Sequence, residues 1–229
     1  MAKSDRLETY ELINSNFINL HERWVDMANR ELWIQSVDIS GPGYDGAEVG
    51  VEYIMANKII KNLHVLRHQS KTEPVIIHLN NCGGEMDNGM AIYDAVMSMP
   101  YHITMVAYAA AASMASIILQ AADTRLIMPS SCFMFHRGAL SLGGETKTVF
   151  SNVDYYKYLD EILLDIYVEN VRNSPKFKNK PDVYIRRIIK QNMDKKGDVF
   201  LTAKEALYWG FVDGIVTDWD ELEKNCLKK

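Results

Sequence analysis

The stretch from Val75 to Gln120, VIIHLNNCGGEMDNGMAIYDAVMSMPYHITMVAYAAAASMASIILQ, decides the fold class. It opens with a short strand, Val75 to Asn80, whose start is apolar and β-branched. Asn81-Cys82-Gly83-Gly84 ends that strand as turn chemistry. Asp87 is placed to cap the next helix, on which Met90, Ala91, Ala95 and Val96 form an apolar stripe. The pattern repeats with a strand over Ile103 to Tyr108 and a helix over Ser113 to Ala122. Two further short strands come next, Arg125 to Met128 and Cys132 to His136. Strands alternating with helices in this way specify an α/β fold with largely parallel pairing.

Toward the N-terminus, Glu31 to Gln35 (ELWIQ) reads as a strand. Ser40 to Gly50, with Gly41, Pro42, Gly43, Gly46 and Gly50, reads as a loop. Val51 to Arg67 places Val51, Ile54, Met55, Ile59, Leu63 and Leu66 on one helical face. Toward the C-terminus, Thr148 to Val171 is the strongest helix. Val153, Tyr156, Leu159, Leu163 and Ile166 lie on one face, and Tyr155, Tyr158 and Ile162 line a second. A helix apolar on two sides must bury both, which suits a face turned to another subunit. Lys176 to Lys180, between Pro175 and Pro181, reads as a solvated connection. Thr202 to Glu205 is a capping-box pattern, Gly210 stops the helix it opens, and Phe211 to Val216 returns as a strand. With no repeat, low-complexity tract or linker, residues 1–229 are expected to form one domain.

The 229 residues are 48% hydrophobic, enough for one sizeable core. A formal net charge of −5 and the lack of a Lys/Arg stripe argue against a nucleic-acid surface. Cys82, Cys132 and Cys226 show neither metal-ligand spacing nor an even-numbered disulfide framework, which suits a reducing cytosol. Met1 to Leu20 has no apolar signal-peptide core, and no run of about 18 apolar residues spans a membrane. A soluble, cytoplasmic protein is expected.

Ser113 follows four alanines, Ala109 to Ala112, at the start of a predicted helix. Small-residue packing explains it structurally. The functional alternative is a nucleophile beside helix N–H groups that favour a developing oxyanion. The G-x-S-x-G elbow is absent, because Ala111 and Ala115 occupy the glycine positions. His136 closes an apolar strand and precedes Arg137-Gly138. It is either a structural histidine or a base suited to relaying a hydroxyl proton near neutrality. Asp198 is either a turn residue or the group that fixes the histidine tautomer. Gly83-Gly84 is either a tight turn or an unhindered backbone donor. His64 and His68, at i, i+4 spacing, lack a third ligand and read as a solvated face; Cys82 reads as structural.

In this order the residues resemble the Clp protease proteolytic subunit (ClpP) family, serine peptidases on the crotonase-like α/β fold. That fold is built of repeated ββα units with a long protruding handle helix. The resemblance runs from about Val75 to Val216. It rests on Gly83-Gly84 with Gly89 to Asp94, on Ala111 to Met114, on Met134 to His136, and on Asp198 to Ala206 leading into Tyr208 to Asp213. Cys82 replaces the family's usual proline, and Ala115 its glycine after Met114. Arg137-Gly138 stands for Gln-Pro, Gly197 for a common arginine, and the segment around Ser174 to Arg187 is longer than usual. The chain thus looks like a divergent member, with residues 1–30 poorly matched and about 146–172 as the handle.

The resemblance implies Ser113 as nucleophile, His136 as general base and Asp198 as orienting acid, with the N–H groups of Gly84 and Met114 as oxyanion hole. It implies a homo-oligomer of stacked heptamers and peptide or unfolded-protein substrates. An ATP-dependent unfoldase of the ClpX, ClpA or ClpC type would deliver those substrates, and the peptidase itself would use no cofactor, nucleotide or metal. Two alternatives remain on the sequence alone. One is a weakly active or inactive subunit that joins a host ring; the other is a crotonase-type acyl-CoA enzyme, which would need a carboxylate base near the hole.

Overall fold

A computed structural model describes residues 18–35, 37–38, 48–139 and 141–220. Most of the expected 40–50 loop, the first seventeen residues and Cys226 lie outside them. Residues 18–23 are helical. Four short strands come next: β1 (Val25–Asp26), β2 (Glu31–Gln35), β3 (Val37–Asp38) and β4 (Glu48–Val49). They lead into α1 (Tyr53–Gln69), β5 (Val75–Asn81), α2 (Met86–Met97), β6 (Ile103–Ala112) and α3 (Met114–Leu119). Then come β7 (Thr124–Ile127), β8 (Cys132–Phe135), α4 (Thr146–Val171) and α5 (Asp182–Lys196). The described part closes with β9 (Val199–Thr202), α6 (Ala203–Trp209) and β10 (Gly214–Ile215).

The main sheet has eight strands, in the order β1-β2-β5-β6-β7-β10, with β8 and β9 branching from β6. Pairing is parallel except at β1–β2 and β8–β9. β5 is central, and Val75, Ile76, Ile77 and Leu79 are all at most 1% exposed. A strand buried on both faces reads as a continuous apolar run rather than an alternating one, which is why VII opens it. The mixed α/β architecture, a largely parallel sheet with helices and a long α4, fits the fold class expected from the sequence.

β6 runs four residues beyond the expected Tyr108, and its extension positions the site. Its first half pairs with β7, from Thr104 opposite Thr124 to Ala107 opposite Ile127. Its second half, Ala110 to Ala112, pairs with β8 instead. Between the halves, two steps along β5 (Leu79 to Asn81) face four along β6 (Ala107 to Ala111), and Ala109 takes φ +43°. Such a bulge bends the strand and re-aims the residues beyond it. The four alanines are therefore strand, with Ala111 and Ala112 buried in it.

Several expectations are corrected. Asp87 does not cap α2: Glu85 holds the cap position without a side-chain bond to the helix backbone, and Asp87 lies in the first turn, accepting from Tyr155 Oη at 2.7 Å. The buried face of α2 is Gly89, Ile92 and Val96. Gly89 matters because a Cβ there would sit 2.4 Å from Met114 Cε. α1 begins at Tyr53, where Glu52 accepts from the N–H groups of Ile54 and Met55. Val51 instead bridges to Gly84, and Ile54 is exposed. The strand expected over 211–216 is only Gly214–Ile215. Lys176 to Lys180 is not merely solvated: Phe177 is buried, and Lys176 Nζ lies 3.6 Å from the Trp209 ring centroid.

Thr202 and Glu205 form the capping box, and Gly210 closes α6 at φ +87°. An unforeseen helix, α5, buries Ile185, Ile189 and Met193. Glu161 on α4 accepts from Arg186 and Lys190 of α5, both at 2.6 Å, and Arg186 also pairs with Asp165. On α4, Leu159, Leu163 and Ile166 are buried, whereas Phe150, Tyr155 and Tyr158 stay exposed. Among the described residues no helix is long and apolar enough to cross a membrane.

Candidate active site

Sheet register brings the candidate residues together. β6 and β8 run parallel with Ala112 opposite Met134, and Ser113 N donates to Met134 O at 3.0 Å. β8 and β9 run antiparallel with Phe135 opposite Val199. One residue beyond these pairs, at three adjacent strand ends, stand Ser113, His136 and Asp198. His136 Nε2 lies 2.8 Å from Ser113 Oγ, and His136 Nδ1 lies 2.8 Å from Asp198 Oδ1. An ionised carboxylate only accepts, so Nδ1–H donates to Asp198 and leaves Nε2 to accept the serine proton. The His136 side chain is 22% exposed and that of Asp198 is 54% exposed. So open a carboxylate exerts a weak field, and its bond to Nδ1 chiefly sets the orientation of the ring.

The support beneath the histidine is aromatic. Phe135 is fully buried, its ring centroid 5.2 Å from Phe211, 5.7 Å from Trp209 and 5.8 Å from Tyr167. Phe133 stacks on Phe211 at 4.5 Å. This cluster locks the end of β8 and so the backbone from which His136 projects.

Ser113 sits between β6 and α3 with φ +52° and ψ −125°, a conformation a non-glycine residue rarely adopts. Its carbonyl accepts from both Ser116 N (2.9 Å) and Ser116 Oγ (2.6 Å), and Ser116 Oγ also meets Tyr167 Oη at 2.6 Å. Burial pushes the Tyr167 phenol above its ordinary range, so it stays protonated and able to donate. The strained turn is thus tied down from α4. Ser116 lies one turn from Ser113, but nothing local in the sequence pointed to Tyr167.

The glycine pair packs against that turn. Gly83 has φ +99°, and a Cβ there would fall 2.5 Å from Ser113 Cβ and 2.9 Å from Met114 N. Gly83 N donates to the buried Asn81 Oδ1 at 2.8 Å, and Gly83 O accepts from Val51 N at 2.7 Å. Glu85 N donates to Val51 O at 2.8 Å, so the loop is pinned on both sides of Gly84. Met114, in the first turn of α3, has an N–H that precedes any intrahelical acceptor.

These groups open on a cleft of about 990 Å³ that α4 also lines, through Tyr156, Asp160 and Leu163. Cys82 is exposed and also lines it. His64 and His68 lie exposed on α1 and do not line this cleft. Among the described residues no three His, Cys, Asp or Glu side chains cluster as metal ligands.

The chain matches the family model for Clp protease over residues 47–218. It is 28% identical to an ATP-dependent Clp protease proteolytic subunit of Deinococcus radiodurans over 168 residues, covering 72% of this chain and 76% of that one. Identity to the subunit of the same name from Mesostigma viride is 29% over 182 residues, 76% and 74% of the two chains. For that of Nephroselmis olivacea it is 26% over 195 residues, 84% of each. With the matched region spanning most of its length and both the glycine pair and the three strand ends inside it, the chain belongs to the Clp protease family.

Proposed function

We propose that this chain is a serine endopeptidase, the proteolytic subunit of an oligomeric ring that cuts unfolded chains. The observation that carries this reading is the hydrogen-bonded series Asp198–His136–Ser113, facing a cleft in a member of a protease family. Ser113 Oγ attacks the scissile carbonyl carbon while His136 Nε2 takes its proton, a general-base contribution of about 10²–10⁴ in rate. The carbonyl electron pair moves to oxygen, where the N–H groups of Gly84 and Met114 receive it; one such donor is worth about 10²–10³. Collapse breaks the C–N bond as the imidazolium gives its proton to the departing amine. Water, deprotonated by His136, then releases the acyl group. Asp198 holds the ring in the required tautomer. Every proton and electron pair is accounted for by these side chains and water, so no cofactor enters the scheme.

The exposed Phe150, Tyr155 and Tyr158 on α4 support its use as a handle between subunits, in stacked heptamers of this one-domain chain. The relatives carry the name ATP-dependent, which supports an ATP-driven unfoldase as partner. The test is hydrolysis of a short fluorogenic peptide, which needs no unfoldase, by assembled wild type and by Ser113→Ala. Turnover in the first and none in the second is expected. Equal turnover in both would remove Ser113 from the chemistry.

A further inference from the structure

We propose that Asp160 makes this cleft select a basic side chain, lysine or arginine, at the peptide residue acylated on Ser113; this rests on the peptidase reading above. Asp160 is half-buried on α4 and lines the same cleft as Ser113. The other acidic groups of the cleft have partners. Glu52 caps α1, Glu85 accepts from Asn88 Nδ2 and Asp87 accepts from Tyr155 Oη. The basic groups are engaged too, Lys157 with Asp154 at 3.2 Å and Arg137 with Asp194 at 3.5 Å. Asp160 has no hydrogen bond or ion pair among the described residues. Burial pushes its carboxyl above the ordinary carboxylate range; nearby Arg137 opposes this, Glu161 adds to it, Lys190 opposes it and Asp194 adds to it. A part-buried carboxylate without a partner is costly unless a ligand brings the cation.

The spacing fits a long side chain. Tyr167 reaches the Ser113 turn through Ser116, so that turn packs beside α4. Asp160 stands seven residues earlier (167 − 160), about 10 Å along the axis. An extended lysine or arginine spans about 6–7 Å from its Cα. A hydrogen bond of about 2.9 Å to the carboxylate adds to that reach. Leu163, one turn along α4 from Asp160, and Ile117 also line the cleft.

The experiment uses the assembled full chain and fluorogenic peptides that differ only at the acylated residue: Lys, Arg, Leu or Asp. The expected result is a kcat/KM for Lys and Arg at least about tenfold above Leu, and a Lys-to-Leu ratio falling about tenfold in Asp160→Asn. Asp160→Lys should move the preference toward the Asp peptide. The melting curve of each variant verifies folding. An unchanged ratio in Asp160→Asn, with Ser113-dependent turnover intact in the wild type, overturns this inference alone. No Ser113-dependent turnover of any peptide overturns the peptidase reading, and this inference with it.

Discussion

Gly83→Ala should disable the site while adding a single methyl group. The new Cβ would stand 2.5 Å from Ser113 Cβ, 2.8 Å from Ala112 O and 2.9 Å from Met114 N. Carbon atoms rest at about 3.5–4.0 Å, so one side must retreat by about 1 Å or more. Both sides are held, Gly83 by Asn81 and Val51 and the Ser113 turn by Ser116 and Tyr167, so the clash strains both and shifts the turn. A retreat of that size stretches the 2.8 Å bond to His136 past hydrogen-bonding range and displaces Met114 N. Misplacement by about 1 Å costs about 10²-fold in rate. The positive φ of Gly83, now forced on alanine, adds about 1–3 kcal/mol of strain. The assay pairs the rate of fluorophosphonate labelling at Ser113 with a thermal melt. Labelling at the wild-type rate, in folded protein, would refute the claim that Gly83 and Ser113 pack as one rigid unit.

Other perturbations separate chemistry from support. Asp198→Asn should lower peptide turnover by about 10²–10⁴ through the wrong imidazole tautomer, with no loss in the melt beyond that of an exposed pair. Phe135→Ala opens the aromatic cluster under His136 and should cost about 3–5 kcal/mol in denaturant titration. Tyr167→Phe removes one hydrogen bond to Ser116 and should cost about 1 kcal/mol, Ser116 still donating to Ser113 O. At the capping box, the backbone bond from Thr202, then its hydroxyl, holds the Glu205 carboxyl below its ordinary range. Its stabilisation is therefore present above the unfolded carboxylate pKa and lost as pH falls through the folded one. The melting gap between wild type and Glu205→Gln should close on acidification.

The order of strands and helices was legible because the relevant signals are local. β-branched runs, the Gly83-Gly84 turn and the Thr202–Glu205 box each fix structure within a few residues. The extent of β6 was not, because it depends on a change of partner strand at Ala109 that no local pattern encodes. The helix over 182–196 carried a usable signal, Ile185, Ile189 and Met193 at i, i+4, i+8, hidden among polar residues. Ser113, His136 and Asp198 were each ambiguous alone. Their meeting comes from sheet register, a long-range property visible beforehand only through family resemblance. Tyr167 and Asp160 became visible only when α4 was laid along the cleft.

The most direct measurement is intact-mass spectrometry of the assembled protein after exposure to a fluorophosphonate probe, with Ser113→Ala alongside. One adduct per chain in the wild type and none in the variant is predicted, as expected of a serine activated by His136. No adduct in folded, assembled wild type, or the same adduct in Ser113→Ala, would contradict it.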